Sequence, residues 1–302
     1  MAYNRGMLRI LFVGLACLLA LAACGGGTGA APESPGAITI VAAENFYGDL
    51  ASQIGGSHVK VTSILSDPSV DPHLYEASVD NAKAVAGARL VIKNGAGYDG
   101  FMDKLLAASP SQRRTVIDVS QLTGTPVGAN PHLWYAPATM PKVAQSIASA
   151  LSAIDPASRP EYEGGLQKFQ TSLKPLQDEI ATLKARFSGT KVLATEPVFD
   201  YMAEALGFDV VDKDGPFQKA VEDGTDPPAS AVAEFSRQIT SHAIRLVVYN
   251  AQAVSPMTTQ MQNTAKQNGV PVVGVTETEP PSKSYQQWQL DQLQEVAKAL
   301  GG

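Results

Sequence analysis

From residue 38 to the C terminus, short apolar segments alternate with longer amphipathic ones, and this alternation limits the fold more than any other feature. Short apolar runs are typical of strands, and apolar residues three and four apart are typical of helices. The pattern therefore predicts an α/β fold, with mostly parallel sheets flanked by helices. The predicted strands are 38–43, 59–65, 90–93, 116–119, 191–195, 246–249 and 270–275. The predicted helices are 45–54, 78–86, 98–108, 199–206, 229–240 and 258–268.

One long amphipathic segment, residues 156–187, separates the two sets of predicted strands and helices. Its apolar side chains recur three and four residues apart, which predicts a single long helix despite Pro175, at which we expect a bend. Packing of this helix within one lobe is an alternative that periodicity alone leaves open. The predicted organisation is an N-terminal α/β lobe at 38–154, a connecting helix at 155–188 and a C-terminal α/β lobe at 189–302.

The first residues predict export and a lipid anchor. Arg5 and Arg9 precede an uncharged apolar run that is shorter than the roughly 20 residues of a membrane-spanning helix and is typical of a signal peptide. The run ends in L-A-A-C, which resembles the lipobox of bacterial lipoproteins and predicts a signal peptide at 1–23 and lipidation of Cys24. An ordinary secretory signal cleaved near Ala23 is the alternative. We expect the mature protein on the extracytoplasmic face of the membrane.

Composition narrows the classes of site and partner. Cys17 lies in the predicted signal and Cys24 is the predicted lipid site, so the mature body has no thiol for a disulfide or a soft metal ligand. Residues 24–37 are small and without periodicity, which is typical of a flexible tether. The net charge of the whole chain is −6 and becomes more negative when the signal is removed. An acidic body disfavours nucleic acid and suits a cationic ligand.

Two of the four histidines lie in similar frames, D-P-H-L-Y around His73 and N-P-H-L-W around His132. In each frame a proline restricts the backbone before the histidine, and a leucine and an aromatic residue anchor the loop in a core. Imidazole is the commonest transition-metal ligand, so both histidines are candidate ligands. His58 and His242 lack such a frame, and we interpret them as structural.

Carboxylates follow two of the predicted strands in the second lobe. Glu196 comes directly after the strand at 191–195, and Glu277 comes just after the strand at 270–275. Ligands bind in α/β sheets at the carboxyl ends of the strands, so both are candidate partners of the histidines. Phosphate-binding G-x-x-x-x-G-K-[ST] loops, G-x-S-x-G elbows and H-E-x-x-H helices are absent from the sequence, which removes support for most enzyme classes.

With these residues, the chain resembles the metal-binding lipoproteins of bacterial zinc and manganese ABC importers, the helix-strut class of solute-binding proteins. The resemblance covers the sequence from Ile38 to Leu300. Its motifs are A-A-E-N-F-Y-G-D-L, D-P-H-L-Y-E, V-I-K-N-G-A-G-Y-D, N-P-H-L-W-Y, the connecting helix, T-E-P-V-F-D-Y and a late T-E before Y-Q-Q-W.

The resemblance implies a metal site of four ligands, His73, His132, Glu196 and Glu277. The chain departs from the family at two ligand positions. Glu196 stands where dedicated zinc binders have His, and Glu277 stands where Asp is usual. Glu279 lies two residues away and is the alternative fourth ligand. The histidine-rich loop of many zinc-specific members is also absent, since residues 113–129 contain no His.

The implied function is capture of Zn²⁺ or Mn²⁺ between two lobes and delivery to an ABC importer. The implied protein partners are the permease and the ATPase of the importer, and the lipid attaches the protein to the membrane. The resemblance also implies a monomer that is not an enzyme. An exported metallohydrolase is one alternative, with zinc held by two histidines and one carboxylate and Glu279 or Asp71 as base. A lipid-anchored adhesin or scaffold with a structural metal is another. Two nitrogens and up to four carboxylate oxygens suit Mn²⁺, yet the same ligands bind Zn²⁺ more tightly, so the metal stays open between the two.

Overall fold

Buried apolar strands form the centre of the first lobe. The computed structural model describes residues 36–69 and 75–301, which belong to one compact unit. The first sheet has four parallel strands in the order β2-β1-β3-β4. These strands are β1 (Ile38–Glu44), β2 (Val59–Leu65), β3 (Leu90–Lys93) and β4 (Thr115–Asp118). The helices of this lobe are α1 (Asn45–Gly55), α2 (Val79–Gly87), α3 (Gly100–Ala108), α4 (Val119–Thr123) and α5 (Thr139–Ile154).

The second lobe repeats this architecture. Its sheet also has four parallel strands, in the order β6-β5-β7-β8. The strands are β5 (Lys191–Ala194), β6 (Asp209–Val210), β7 (Leu246–Asn250) and β8 (Val272–Val275). The helices are α8 (Asp200–Leu206), α9 (Pro216–Glu222), α10 (Ala229–Thr240), α11 (Pro256–Gln267) and α12 (Tyr285–Ala299). The predicted fold class, two α/β lobes with parallel sheets, is therefore confirmed.

The two sheets have the same strand order and also the same register between their central strands. Ala42 of β1 lies opposite Ile92 of β3, as Ala194 of β5 lies opposite Val248 of β7. Because parallel strands end at the same edge, the residues that follow these pairs meet at the carboxyl edge of each sheet.

The connection between the lobes corrects the prediction of one uninterrupted helix. The segment forms two consecutive helices, α6 (Arg159–Ser172) and α7 (Lys174–Phe187), which are separated at Leu173. Pro175 explains the break, because it has no N–H for the carbonyl four residues earlier and its ring crowds that turn. Helix α6 packs against α1 and α5 in the first lobe, whereas α7 packs against α8 and α12 in the second.

Close packing holds α6 on the first lobe. A Cβ atom at Gly165 would lie 2.4 Å from the backbone oxygen of Ile54 at the end of α1. A larger residue at this position would therefore push the two helices apart.

The largest of three clusters of buried apolar side chains in the described ranges crosses from one lobe to the other. Its centre is a set of buried aromatic side chains that we call the aromatic junction, with Phe46, Trp134 and Tyr135 from the first lobe and Phe199, Tyr285 and Trp288 from the second. The ring centroids of Phe46 and Trp134 lie 4.6 Å apart, and those of Tyr135 and Phe199 lie 6.1 Å apart. Aromatic pairs at such distances add about 0.5–1.5 kcal/mol each beyond the burial of their area. The lobes therefore share apolar packing in addition to the covalent connection.

Most predicted strands and helices are confirmed to within two residues at each end, apart from the connecting segment. Strand β6 and helices α4, α5, α9 and α12 are absent from the prediction. The predicted signal peptide, Cys24, the start of the tether and His73 lie outside the described residues. Among the helices of the described ranges, none is both long enough and apolar enough to cross a membrane.

Candidate metal centre

Three of the predicted ligands come together between the lobes. One side-chain ligand atom from each of His132, Glu196 and Glu277 lies within 4.8 Å of the others. All three side chains are buried, with relative exposures of 0%, 1% and 0%. His132 comes from the loop after α4 in the first lobe, and the two carboxylates follow β5 and β8 in the second. His73, the remaining predicted ligand, is outside the described part of the chain.

The orientation of the His132 ring is set by the residue two positions before it. The Oδ1 atom of Asn130 accepts hydrogen bonds from the backbone N–H of His132 at 3.0 Å and from its Nδ1 at 2.8 Å. The other end of the amide is also fixed, because Nδ2 of Asn130 donates to the backbone oxygen of Pro197 at 2.8 Å. Nδ1 therefore carries the proton, and Nε2 is the nitrogen that a cation can use. Nε2 lies 3.4 Å from Oε2 of Glu277.

The two carboxylates share one hydrogen-bond donor. Nδ2 of Asn250, at the end of β7, donates to Oε1 of Glu196 and, at 2.5 Å, to Oε1 of Glu277. An asparagine amide has two N–H groups, so it can bond both carboxylates at once. Asn250 is itself buried, with a relative exposure of 1%. It therefore holds side by side two negative charges that would otherwise repel each other.

The first lobe contributes a second donor to Glu277. The hydroxyl of Tyr98 donates to Oε2 of Glu277 at 2.7 Å. Burial, followed by the negative charge of Glu277, raises the pKa of Tyr98 well above 10.0, so the phenol keeps its proton. This bond joins the lobes directly at the site.

Backbone contacts fix the loop that carries Glu277. Oε1 of Gln252 accepts from the backbone N–H of Glu277 at 2.7 Å and from that of Thr278 at 3.0 Å. Nδ2 of Asn45, at the start of α1, donates to the backbone oxygen of Glu279 at 2.7 Å, and Oδ1 of Asn45 accepts from the N–H of Glu279 at 3.0 Å. The loop is therefore attached to both lobes.

The loop that carries His132 is supported from the end of β3. Asn94 is fully buried, and its Nδ2 donates to the backbone oxygen of Pro131 at 2.8 Å. Tyr47 donates from its hydroxyl to Oδ1 of Asn94 at 2.7 Å. The loop around Asn94 is closed by Asp99, whose carboxylate accepts from the backbone N–H groups of Asn94 and Gly95. Burial nevertheless raises the pKa of Asp99 to about 6.

Glu44, the last residue of β1, is a buried acid near this loop. Its relative exposure is 0%, and neither carboxyl oxygen has a hydrogen-bond partner within the described residues. Burial, with a smaller contribution from Asp99, raises the pKa of Glu44 well above 4.5. Burial at this position therefore disfavours the charged form of the Glu44 carboxyl group.

Glu279 does not join the cluster of His132, Glu196 and Glu277. Its carboxyl group is nearly buried, and burial with the nearby charge of Asp49 raises its pKa to about 9. It is therefore neutral at pH 7, which makes it a poor ligand for a cation. Of the two acids considered for the fourth position, Glu277 has the geometry of a ligand.

A cleft of about 740 Å³ lies beside the cluster. Its wall includes Tyr98, Asn130 and Pro131 from the first lobe and Pro197 and Asp200 from the second. Tyr98 donates to Glu277, Asn130 accepts from His132, and Pro131 and Pro197 adjoin His132 and Glu196 in the chain, so the cleft lies next to the site.

Sequence reasoning missed the residues that support the ligands. Asn250 and Gln252 have no motif of their own, and only the pairing of β5 with β7 places Asn250 next to Glu196. Tyr98 and Asn94 lie in V-I-K-N-G-A-G-Y-D, a motif used for the resemblance without any role for these two residues. The first residue of N-P-H was a usable signal, because an asparagine two residues before a histidine can accept from its ring.

A family model described as "ZnuA: Zinc-uptake complex component A periplasmic" matches residues 40–299. The chain is 27% identical over 203 residues to the manganese-binding lipoprotein MntA of Bacillus subtilis, an alignment that covers 63% of this chain and 65% of MntA. It is 27% identical over 214 residues to the manganese ABC transporter substrate-binding lipoprotein PsaA of Streptococcus mitis, covering 65% and 68%. It is 26% identical over 211 residues to the zinc-binding protein TroA of Treponema pallidum, covering 65% and 67%.

Solved structures share the fold. The periplasmic zinc-binding protein TroA of Treponema pallidum superimposes with a TM-score of 0.73 at 17% identity, covering 87% of this chain and 99% of that one. The Mn-bound periplasmic metal-binding protein of Candidatus Liberibacter asiaticus superimposes with a TM-score of 0.67 at 18% identity, with the same coverage. At these identities the likeness establishes the two-lobe architecture.

Proposed function

Because the chain belongs to the family of periplasmic zinc-uptake component A proteins, we propose that it is an extracytoplasmic solute-binding protein that captures Zn²⁺ or Mn²⁺. It delivers the ion to the permease and ATPase of an ABC importer. The observation that carries this proposal is the meeting of His132, Glu196 and Glu277 from opposite lobes in a buried cluster. The relatives named above as manganese-binding, zinc-binding and ABC transporter substrate-binding proteins support it.

The ligand chemistry suits a divalent transition metal. His132 offers a neutral nitrogen, and Glu196 and Glu277 together offer the two negative charges that balance a divalent cation. His73, in the D-P-H-L-Y frame, completes the set as the fourth ligand. Two imidazoles and two carboxylates enclose an ion and leave no position for a reacting water, so the site captures and releases rather than catalyses.

The domain organisation that we propose is the one predicted from the sequence, except that the connecting segment contains two helices and not one. Residues 1–23 are the signal peptide, Cys24 carries the lipid and residues 24–37 are the tether. The lobes span 38–154 and 189–302, and α6 and α7 lie in the connecting segment 155–188. The lipid keeps a monomeric binding protein close to the membrane in which its permease lies.

Metal titration of the purified apo protein tests the proposed function. We expect one equivalent of Zn²⁺ or Mn²⁺ to bind to the wild-type protein, and His132→Ala or His73→Ala to lower the affinity by at least about tenfold. His242→Asn is the matched control, because His242 has φ of +52°, a conformation that asparagine tolerates. Unchanged affinity in either alanine variant would remove that histidine from the site, and a wild-type protein that binds neither metal would refute the proposal.

A further inference from the structure

A buried carboxyl group lies in the wall of the cleft, outside the metal centre. Asp200 is the first residue of α8, and its relative exposure is 2%. Its Oδ1 accepts from Nε2 of Gln218 at 3.3 Å, and among the described residues its Oδ2 has no hydrogen-bond partner. Burial of a carboxyl oxygen without a partner costs free energy, which a bound cation would offset.

Two further acids lie near Asp200. Oε1 of Gln218 accepts from the backbone N–H of Asp214 at 2.9 Å, so Gln218 connects the loop of Asp214 to the Asp200 carboxyl group. Burial is the main cause of the raised pKa of Asp200, and the negative charges of Asp214 and Glu222 raise this pKa further. Such an effect requires short distances between the carboxyl groups. All three acids line the cleft, so they lie around one part of it.

The charges along the cleft favour a cation. Of the described residues that line it, four are acids and two are lysines, the fourth acid being Asp223. One of the lysines, Lys213, lowers the pKa of Asp200, yet its ammonium group also lies 3.2 Å from Oε2 of Glu204, an exposed acid of α8 that balances part of its charge. A cleft with an excess of one sign of charge concentrates ions of the opposite sign.

We propose that the cleft contains a second cation site, in which Asp200, Asp214 and Glu222 bind a hydrated divalent cation. This site goes beyond the proposed function, because it shares no residue with the metal centre described above. The described residues that line the cleft include no His or Cys, so the ligands are oxygen atoms. Oxygen ligands suit hard cations such as Mg²⁺, Ca²⁺ and Mn²⁺, whereas nitrogen and sulfur ligands are typical of Zn²⁺.

The size of the cleft and the state of Asp200 agree with weak binding of a hydrated ion. A cation with six waters occupies roughly 200 Å³ at about 30 Å³ per water, and the cleft has a volume of about 740 Å³. The pKa of Asp200 is about 7, so near neutral pH this carboxyl group is ionised in about half of the molecules. A cation therefore displaces at most one proton from it. We expect a dissociation constant on the order of 10⁻⁴–10⁻³ M, as in the Ca²⁺ sites of extracellular modules.

The experiment adds Mn²⁺ to protein that already holds one equivalent of Zn²⁺, because the metal centre binds Zn²⁺ more tightly. Electron paramagnetic resonance measures the Mn²⁺ that stays free, at about 0.15 M salt, which screens isolated surface charges. Asp200→Asn and Asp214→Asn each remove the charge of a proposed ligand, and asparagine tolerates the φ of +57° at position 214. Asp223→Asn is the matched control, because it removes one exposed charge from the same cleft.

We expect the Zn²⁺-loaded wild-type protein to bind one Mn²⁺, and Asp200→Asn to weaken this binding by about tenfold or more. Asp214→Asn should also weaken it, whereas Asp223→Asn should retain the wild-type affinity. No Mn²⁺ binding by the Zn²⁺-loaded wild type at about ten times the expected dissociation constant would overturn the site. Equal losses in Asp200→Asn and Asp223→Asn would also overturn it, since they would indicate nonspecific attraction to the cleft.

Two further outcomes keep the test decisive. If Asp200→Asn does not fold, the comparison of Asp214→Asn with Asp223→Asn decides in the same way. A wild-type protein that binds no Zn²⁺, and whose Mn²⁺ binding is lost in Asp200→Asn but retained in His132→Ala, would support the cleft site and contradict the proposed function.

Discussion

The hydroxyl of Tyr135 in the first lobe donates to the backbone oxygen of Thr276 in the second lobe, at 2.7 Å. Thr276 directly precedes Glu277, so this bond lies one residue from a candidate ligand. The same hydroxyl is 2.9 Å from Oε1 of Gln292, which also accepts from the backbone N–H of Thr276. Tyr135 of the aromatic junction therefore supports the loop that carries Glu277 through a hydrogen bond as well as through packing.

Tyr135→Phe should therefore reduce both stability and metal affinity. Removal of the hydroxyl leaves the backbone oxygen of Thr276, in a partly buried position, without this donor, which we expect to cost about 1 kcal/mol of unfolding free energy. Metal affinity should fall because the backbone before Glu277 becomes less constrained. Chemical denaturation and calorimetric titration measure the two effects. Tyr249→Phe is the control, since no hydrogen bond of the Tyr249 hydroxyl is seen in the described ranges. Equal stability of the two variants would contradict this account.

A pair of amide substitutions tests whether Glu277 or Glu279, both in the loop between β8 and α12, is the metal ligand. Glu277→Gln removes a negative charge from the ligand cluster, and we expect metal affinity to fall by at least about tenfold. Glu279→Gln should leave affinity nearly unchanged, because the raised pKa of about 9 already keeps that carboxyl neutral at pH 7. Titrations of both variants under one buffer condition measure the difference. A larger loss in Glu279→Gln would reverse the assignment.

Asp200 should make the protein less stable as pH rises. Its side chain is 2% exposed, and burial raises its pKa from 3.8 to about 7. Between these values the unfolded chain releases a proton that the folded protein retains, so each step upward in pH favours the unfolded state. Asp200→Asn removes this penalty, and its stability advantage over wild type should grow from about pH 4 to about pH 7, to at most about 4 kcal/mol.

Denaturant unfolding across that pH range measures the effect of Asp200. Asp223→Asn is the control for the loss of one charge, because Asp223 lines the same cleft and is exposed. A constant difference between Asp200→Asn and wild type over the range would show that Asp200 ionises normally in the folded protein.

Metal binding should change the loops more than the connecting helices. The lobes share a continuous core and the aromatic junction, which opposes a wide opening. We expect hydrogen exchange to slow on metal binding around His132, Glu196 and Glu277, with α6 and α7 equally protected in the apo and loaded forms. Strong additional exchange in the apo form at Leu173, between the two helices, would instead identify a hinge there.

The sequence predicts the elements of this fold well where apolar periodicity is strong. The strand at Val59–Leu65 and the helix at Ala229–Thr240 have the predicted boundaries. Strand β6 has only two residues, too few for a period to be visible. The break at Leu173 was underestimated because the apolar spacing continues across Pro175, and spacing does not report a missing backbone hydrogen bond.

Prediction of the site was limited by what only the tertiary structure provides. His132, Glu196 and Glu277 could be selected because their residue types match metal ligands and their positions follow strands. Asn250 could not be selected in this way. Its role depends on the register of β5 and β7 and on its hydrogen bond to Glu277, which lies 27 residues further along the chain. Choosing Glu277 over Glu279 likewise required the side-chain directions within that loop.

The equivalent strand order of the two sheets and the equivalent register of their central strands place matching positions at the site. Glu44 and Asn94 stand two residues beyond the paired strand positions of the first sheet, as Glu196 and Asn250 do in the second. In the second sheet the amide of Asn250 donates to the carboxylate of Glu196, whereas in the first sheet the amide of Asn94 donates to the backbone of Pro131, and Glu44 is buried with a raised pKa. Two equivalent scaffolds thus yield an asymmetric site, with anionic oxygen on one side and neutral nitrogen on the other.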